Sequence, residues 1–395
     1  MLPAGFVPQD VHDQRFRVEF DYPVVFVDGA LAPEEPALAW AIARREPERR
    51  HPSCFVLDGG LVAAQPELPA RVTGYAARHS GSVELRAEPL IVPGGEACKN
   101  DAELVPRLLE TFARLRLDRQ ASVIAIGGGA VLDAVGYAAS VTHRGLRLVR
   151  VPSTVLSQCD GGVGVKTSVN GFAAKNFVGT FAPPHAVVDD FALLRSLPLR
   201  DARAGMAEAV KVALIRDPEF FAWLEAHAPA LSRAEAAPLA SLVRRCAALH
   251  LAHIREGGDP FETGSARPLD YGHWAAHKLE IISGHELRHG EAVAIGMLLD
   301  ARYAERSGLL ASADLERILE LLGRLGLPRY HAALAEESAG RLSVLRGLED
   351  FREHLGGALS VTLLEGIGRS REIHDMDAAR VEEAIGWLRE RAERA

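Results

Sequence analysis

The stretch Leu269–Met297, LDYGHWAAHKLEIISGHELRHGEAVAIGM, holds four of the chain's fifteen histidines. His273 and His277 are four residues apart, and so are His285 and His289; on a helix such pairs share a face. Imidazole nitrogens ligate divalent transition metals and titrate near neutral pH, so the stretch suits metal binding, proton transfer or both. A second chemical candidate lies upstream in GMAEAVK, residues 205–211. Glu208 and Lys211 are three apart and would also share a helix face. An exposed pair at that spacing stabilises a helix by only about 0.2–0.5 kcal/mol. The surrounding MAEAVKVALI is otherwise apolar, which favours burial, and a buried pair calls for a partner or a function.

Three readings of the histidines follow. His285-Glu286-Leu287-Arg288-His289 spells H-E-x-x-H, the zinc metalloprotease signature, which belongs in the middle of one helix. Gly284 and Gly290 bracket it here, so SGHELRHG reads as a loop running into a new helix at Glu291. The second reading takes the four as solvated or core histidines. The third takes Glu208, His273 and His289 as ligands of one Zn²⁺-like ion with open positions, as catalytic sites require. His277 then lies one turn beyond His273, available for acid/base work, and His285 is a bystander.

The elements that would position these residues change character near Pro198. Residues 1–15 read as a loose leader, followed by short apolar runs at Phe16–Phe20 and Val24–Val27. Ala37–Arg45 and Leu68–His79 have helical character, and Cys54–Leu57 (CFVL) and Val83–Leu90 read as strands. Asp101–Leu115 has the pattern of an amphipathic helix. Ser122–Ile126 (SVIAI) is an apolar strand that runs into Gly127-Gly128-Gly129 and then a helix over Ala130–Ser140. Strand, glycine turn and helix together cradle a phosphate or pyrophosphate on free backbone N–H groups. Asp58, after an earlier strand, could accept from a ribose hydroxyl; Asp133, one turn into the helix, is also what the helix dipole favours. Arg147–Val151 adds another strand, and the alternation implies a mainly parallel α/β sheet.

Pro152–Thr180, PSTVLSQCDGGVGVKTSVNGFAAKNFVGT, reads as a long glycine-rich loop carrying Asp160, Lys166, Lys175 and Asn176. Close backbone approach plus lysine point charges suits an anionic substrate such as a phosphate ester. Beyond Pro198, Asp201–Ile215, Glu219–Ala226, Leu239–Ile254, Gly272–Ile282, Glu291–Ser307 and Ser312–Leu325 all have helical periodicity. Only Ser360–Leu364 reads as a strand there. The spacing predicts an α/β domain over 1–199 and a mostly α-helical one over 200–395, with the site in the cleft between them.

Bulk composition narrows the class. The 395 residues are 48% apolar and 25% charged with a net charge of −8, ordinary for a globular enzyme and unsuited to general binding of nucleic acid or anionic membrane. Four scattered cysteines give neither metal-ligand spacing nor a disulfide framework, and no apolar run reaches 18 residues. A reduced, cytoplasmic protein is expected.

Taken together, GGGAVLDAVGYAAS, HRG at 143–145, VPSTVLSQCD, VGVKTSVN, KN at 175–176, AEAVK, GHWAAH and HGEAVAIGM occur in the order found in one family. The chain resembles the dehydroquinate synthase-like sugar phosphate cyclases over roughly Asp58 to Gly368. The resemblance implies an N-terminal Rossmann-like NAD-binding domain, a C-terminal helical metal domain, and a homodimer. It implies that Asp58, Glu96, Lys99, Gly128, Gly129, Asp133, Ser153, Thr154 and Leu156 hold NAD, with Asp160 and Lys175 beside it. It assigns Zn²⁺ (or Co²⁺) to Glu208, His273 and His289. Arg144, Asp160, Lys166, Lys175, Asn176, Lys211 and His277 would face a sugar phosphate.

The pattern departs from dehydroquinate synthase itself where that enzyme binds a substrate carboxylate. Leu249 and His250 follow Cys246-Ala247-Ala248 where the family has a lysine. Asp270 stands at an asparagine position, and Arg267 is one place off the family's arginine. FREHLGG (351–357) replaces a lysine pair. Fewer cations and one more carboxylate disfavour an anionic group. FREHLGG followed by SVTLL is similar to the cyclases acting on sedoheptulose 7-phosphate. Those making 2-epi-5-epi-valiolone commonly have proline where this chain has His277. The expectation is a cyclase forming a C7 cyclitol. The alternatives are 3-dehydroquinate synthase, a metal-dependent polyol or glycerol phosphate dehydrogenase, and an inactive binding protein.

Overall fold

The computed structural model describes residues 11–394 apart from 173, 258, 262–267, 339 and 355–358. The apolar runs of the first half become strands β1 (Val24–Val27), β2 (His51–Asp58), β3 (Val83–Leu85), β4 (Leu90–Val92), β5 (Ser122–Gly127) and β6 (Arg147–Pro152). A hairpin of β7 (Lys166–Gly171) and β8 (Ala174–Phe181) follows, then β9 (Ala186–Asp190). All but the hairpin join one parallel sheet in the order β1-β9-β6-β5-β2, with β3 and β4 both pairing with β2. Helices α1 (Ala37–Ala43), α2 (Gly59–Ala64), α3 (Leu68–Arg78), α4 (Ala97–Asn100), α5 (Leu104–Arg114), α6 (Gly129–Val141) and α7 (Val155–Cys159) connect the strands.

A parallel sheet covered on both faces needs apolar residues at consecutive positions, not at alternate ones. CFVL and SVIAI meet that demand. Phe55, Leu57, Ile124 and Ile126 join one core with Leu38, Ile42 and Val72. Their neighbours Cys54, Val56, Val123 and Ala125 join another with Leu108, Phe112 and Val135 on the opposite face.

Past β9 the chain is helical: α8 (Leu199–Arg216), α9 (Pro218–Leu231), α10 (Ala236–Glu256), α11 (His273–Ile282), α12 (His289–Arg306), α13 (Ser312–Arg324), α14 (Arg346–His354) and α15 (Ala378–Glu393). They share one large core built around Met206, Val210, Trp274, Ile295 and Leu298. The six helices expected from periodicity all form.

The apolar run Phe16–Phe20 pairs with no strand among the described residues, and Phe16 and Phe20 are exposed. Three expectations are corrected. Val83–Leu90 is broken into β3 and β4, which pair with opposite ends of β2. The segment read as the long loop 152–180 holds α7, nucleated by a Thr154–Ser157 capping box, and the β7–β8 hairpin. The strand read at Ser360–Leu364 forms but is not alone past Pro198: Val361–Gly366 pairs with Arg369–Ile373, and Glu337–Ser338 with Arg341–Leu342. No helix among the described residues is long and apolar enough to cross a membrane.

Candidate active site

The carboxyl ends of β2, β5 and β6 come together because the strands are parallel neighbours, and ligands of such sheets bind at that edge. Asp58, the last residue of β2, accepts from Gly60 N at 2.8 Å and Leu61 N at 3.3 Å through Oδ1. Its Oδ2 accepts from Gly128 N at 3.2 Å, so one carboxylate caps α2 and ties down the glycine turn. A Cβ on Gly127 would lie 2.8 Å from that of Asp58, whereas one on Gly129 would meet only open space. The start of α6 is thus an open cradle of the kind that takes a phosphate. Beside it the Lys99 ammonium is buried, 2.7 Å from Asp133 Oδ2 and 3.0 Å from Ser168 Oγ, and it also contacts Asn176 Oδ1. Lys99 thereby joins α4, α6 and the hairpin, and Asn176 is held there with φ +56°.

Three helices converge on the other wall. α12 begins against α8 so closely that a Cβ on Gly290 would lie 1.8 Å from Ala204 O. Gly272, at φ +78°, lets the chain turn into α11 while in contact with Gly296 of α12. The result brings Glu208 of α8, His273 at the start of α11 and His289 at the start of α12 together. One ligand atom from each lies within 4.8 Å of the others. Both imidazole Nε2 atoms are 3.9 Å from Glu208 Oε1. His273 Nδ1 is 3.1 Å from Tyr271 O and His289 Nδ1 is 3.1 Å from Glu280 Oε2. Each Nδ1–H therefore has an acceptor, which leaves each Nε2 lone pair aimed at the centre. Glu208 is 1% exposed, and neither carboxylate oxygen has a hydrogen-bond partner. Lys211 Nζ lies only 2.5 Å from Oε2 but is not aligned for a hydrogen bond. A buried carboxylate that meets an ammonium through Oε2 and faces two imidazole lone pairs through Oε1 fits a divalent cation with open coordination positions.

The charges around this centre are strongly coupled. Burial pushes the Glu208 carboxyl up, and the Lys211 ammonium opposes that rise. Burial alone would lower Lys211, but Glu208, Asp160 and Asp270 outweigh it and hold the lysine above its ordinary range. Asp160, 3.6 Å from Lys211 Nζ and 3.4 Å from His250 Nδ1, is held well below the usual carboxylate range, because His250 and the Lys211 ammonium together outweigh its burial. Burial first, then the Lys211 charge and the neighbouring histidines, keeps His273 neutral and able to ligate.

The matches to known proteins agree with this geometry. Residues 89–204 match the N-terminal and 205–344 the C-terminal family of 3-dehydroquinate synthase. The chain belongs to the 3-dehydroquinate synthase family. It is therefore an enzyme of the sugar phosphate cyclase class. The 3-dehydroquinate synthase of Nitrosospira multiformis is 37% identical over 298 residues, 75% of this chain and 79% of its own. Among solved structures, the 2-epi-5-epi-valiolone synthase of Streptomyces hygroscopicus subsp. jinggangensis, with NAD⁺ and Zn²⁺ bound, superposes with a TM-score of 0.84. It is 30% identical and covers 96% of this chain and 100% of its own. A 2-deoxy-scyllo-inosose synthase complexed with carbaglucose-6-phosphate, NAD⁺ and Co²⁺ gives 0.74 at 25% identity, over 92% and 95% of the two chains.

In this member of the 3-dehydroquinate synthase family contacts link many of the candidate residues from the two halves of the chain. Ser153 N donates to Gly127 O at 2.9 Å, and Thr154 caps α7, next to Leu156. His277 is exposed, its ring 5.4 Å from that of His273 and 5.9 Å from that of His289. Lys175 lies 3.0 Å from Glu280 and 3.8 Å from Glu96. Lys166 opens β7 and is exposed. Arg144 is not brought to this group within one chain. It follows the carboxyl end of α6, a 13-residue helix that spans about 20 Å and whose other end is the glycine turn. His285 is exposed in a turn at φ +64°, and the helix starts only at His289, which disposes of the metalloprotease reading. Arg267 and the LGG of FREHLGG lie outside the described residues.

Two residues beside the site were missed by the sequence reading, and a third was named without a role. Glu280 Oε2 meets His289 Nδ1; the signal was a carboxylate between Leu279 and Ile281, three residues after His277. His250, named at the family's lysine position, pairs with Asp160. Arg150, buried within β6, donates to Gly164 O at 2.7 Å and Lys166 O at 2.8 Å, and so shapes the turn between Asp160 and Lys166. A charge inside the strand RLVRVP was its signal. Two surface hollows of about 350 and 480 Å³ lie elsewhere and contain none of the candidate residues.

Proposed function

We propose that the chain is an NAD- and divalent-metal-dependent cyclase that eliminates phosphate from sedoheptulose 7-phosphate and closes the ring to a C7 cyclitol. The observation that supports this reading is the buried Glu208 carboxylate, paired with Lys211 through Oε2 and facing the Nε2 atoms of His273 and His289 through Oε1. The hairpin that carries Lys166, Lys175 and Asn176 reaches this group through Lys175, 3.0 Å from Glu280. The glycine cradle with Asp58, Lys99 and Asp133 would hold NAD, and Glu208, His273 and His289 would hold Zn²⁺ or Co²⁺. Bound there, the two groups would supply a reversible hydride acceptor and a Lewis acid for a sugar hydroxyl. NAD would be regenerated in each turnover, so the net change is loss of phosphate and ring closure.

The chain's own residues then have the following roles. Lys166 and Lys211 offer positive charge to the phosphate end and the oxyanion end of the substrate. Asp160, paired with Lys211, keeps that ammonium in place. Asn176, fixed by Lys99 and Ser168, presents its amide from the hairpin. His277, exposed beside the ligand histidines, is the group placed to move a proton. Asp270 acts electrostatically on Lys211, and its negative charge argues against a substrate carboxylate beside that lysine. That favours sedoheptulose 7-phosphate over the dehydroquinate precursor. The 37% identity to a 3-dehydroquinate synthase favours the second reading, 3-dehydroquinate synthase itself.

We divide the chain into a nucleotide domain over 1–199 and a metal and substrate domain over 200–395. We further read it as a cytoplasmic homodimer: its four cysteines are buried free thiols, as a reducing compartment permits, and the family resemblance supplies the dimer. The test is incubation with each of the two substrates, followed by mass spectrometry and by absorbance of NADH. Cyclitol and free phosphate from sedoheptulose 7-phosphate, without NADH accumulation, is the expected result. Dehydroquinate formation establishes the second reading, and stoichiometric NADH establishes a polyol phosphate dehydrogenase. No cyclitol from either substrate overturns the substrate assignment.

A further inference from the structure

The two ligand histidines are supported unequally. His273 Nδ1 meets Tyr271 O, a backbone atom two residues away that moves with the helix it starts. His289 Nδ1 meets Glu280 Oε2, a side chain on another helix. Glu280 is 5% exposed, and its second oxygen accepts from Lys175 Nζ at 3.0 Å. Lys175 belongs to β8 of the hairpin carried by the nucleotide half, and it also lies 3.8 Å from Glu96 of that half. Contacts thus run from Glu96 through Lys175 and Glu280 to His289, crossing from one half of the chain to the other.

We propose that Lys175 and Glu280 are positioning residues in series, which set how His289 presents Nε2 to a divalent cation, so that both halves of the chain determine metal affinity. The inference rests on the reading of Glu208, His273 and His289 as the ligands. Physically, an imidazole can flip its ring and exchange its proton between two nitrogens. An acceptor fixed beside Nδ1 holds one flip and one tautomer and makes Nε2 the better donor to a metal. Glu280 supplies that acceptor. Its second oxygen would otherwise be a buried, unpaired carboxylate oxygen, free to rotate or to compete for the cation; Lys175 occupies it. The carboxylate of Glu280 also lies within 4.8 Å of ligand atoms of His277 and His289. Its two oxygens are engaged by Lys175 Nζ and His289 Nδ1, however, whereas Glu208 Oε1 has no hydrogen-bond partner and faces both Nε2 atoms.

The experiment is a Co²⁺ titration of the full-length protein against a chromophoric chelator, comparing wild type with E280Q, E280D, K175M and the E280Q/K175M double variant. E280Q is expected to weaken Co²⁺ binding about 10–100-fold, the range typical for outer-shell partners. K175M is expected to weaken it by less, E280D to restore part of the loss, and the double variant to match E280Q. The Co²⁺ absorption bands of saturated E280Q should coincide with those of wild type, because no ligand is lost. Lys175 is on an exposed hairpin, so K175M carries the test if E280Q does not fold. Affinity within twofold of wild type in E280Q and K175M overturns the relay. So does a double variant whose loss is the product of the two single losses, or a changed Co²⁺ spectrum, which would make Glu280 a ligand. Wild-type protein that takes up no Co²⁺ removes the ligand reading and the relay with it. Wild-type binding with unaffected variants removes the relay alone.

Discussion

Replacing Lys211 with methionine should destabilise the metal-free protein and yet tighten its hold on a cation. The Lys211 ammonium is 2% exposed and lies 2.5 Å from Glu208 Oε2 and 3.6 Å from Asp160 Oδ2. Methionine fills much the same volume but leaves Glu208 buried without a counter-charge, and removing one partner of a buried pair costs about 3–5 kcal/mol. A divalent ion restores the counter-charge, so the loaded variant should lose less. The same ammonium repels a cation from the liganding carboxylate in the wild type, and the variant lacks that repulsion. The two effects are one thermodynamic cycle: the difference between the metal-free and the loaded stability losses equals the gain in binding free energy. Losses of about 4 and about 2 kcal/mol would require roughly 30-fold tighter binding, at 1.36 kcal/mol per factor of ten. Urea unfolding of chelator-treated and Zn²⁺-saturated protein gives two sides of the cycle, and chelator competition gives a third. Weaker Zn²⁺ binding in K211M, or a metal-free loss under about 1 kcal/mol, would refute the electrostatic account of the Glu208–Lys211 pair.

Other expectations follow from buried groups away from the ligands. His185 is buried, and desolvation together with Arg44, Arg147 and Arg45 lowers it from 6.5 to about 4. The unfolded chain therefore takes a proton first. The stability this neutral histidine contributes is complete above pH 6.5 and is lost as pH falls from 6.5 towards 4. The loss is at most about 3 kcal/mol at 1.36 kcal/mol per pKa unit. H185N should flatten the acid limb of an unfolding-versus-pH curve, and an unchanged limb would show that other groups control it. R150M should orphan the carbonyls of Gly164 and Lys166, at about 1–3 kcal/mol each, and raise KM through displacement of Lys166. A denaturation midpoint and KM both equal to wild type would show that the turn holds itself.

What could be read from the sequence was what physical chemistry makes local. CFVL and SVIAI announced buried parallel strands because both faces of such strands are covered. Gly127–Gly129 announced a cradle because a strand led in and a helix led out. Glu208 stood out as a carboxylate in an apolar helix, and the structure buries it to 1% exposure. What escaped was set by distant contacts. The β7–β8 hairpin has no apolar alternation; its register depends on partners such as Thr167 with Thr180 and Lys99 with Ser168 and Asn176. Glu280 and Arg150 broke the apolar pattern of their own elements just as Glu208 did, and the same reasoning would have singled them out. The role of His250 could not be found that way, because its partner Asp160 is remote in sequence and only the packing of α10 against α7 brings them together.

The placement of the ligands also bears on what the centre stabilises. His273 and His289 are each the first residue of a helix, so two helix N-termini, each carrying partial positive charge, point at the centre. The Lys211 ammonium is a third positive contribution. A site meant only to hold a cation would avoid this arrangement, and the acidic groups Glu208, Glu280 and Asp160 are needed to offset it. With those carboxylates in place, the positive ends are directed at whatever a substrate presents to the remaining open positions. They favour a substrate oxygen that gains negative charge as its proton leaves. Under the proposed function that is the demand of an enzyme that acidifies a secondary hydroxyl, and it would give the buried lysine a role in the chemistry as well as in the fold. K211R separates the two roles: it keeps the charge but changes its geometry. It should leave metal-free stability closer to wild type than K211M does, while lowering kcat. Equal kcat in K211R and wild type would confine Lys211 to the structural role.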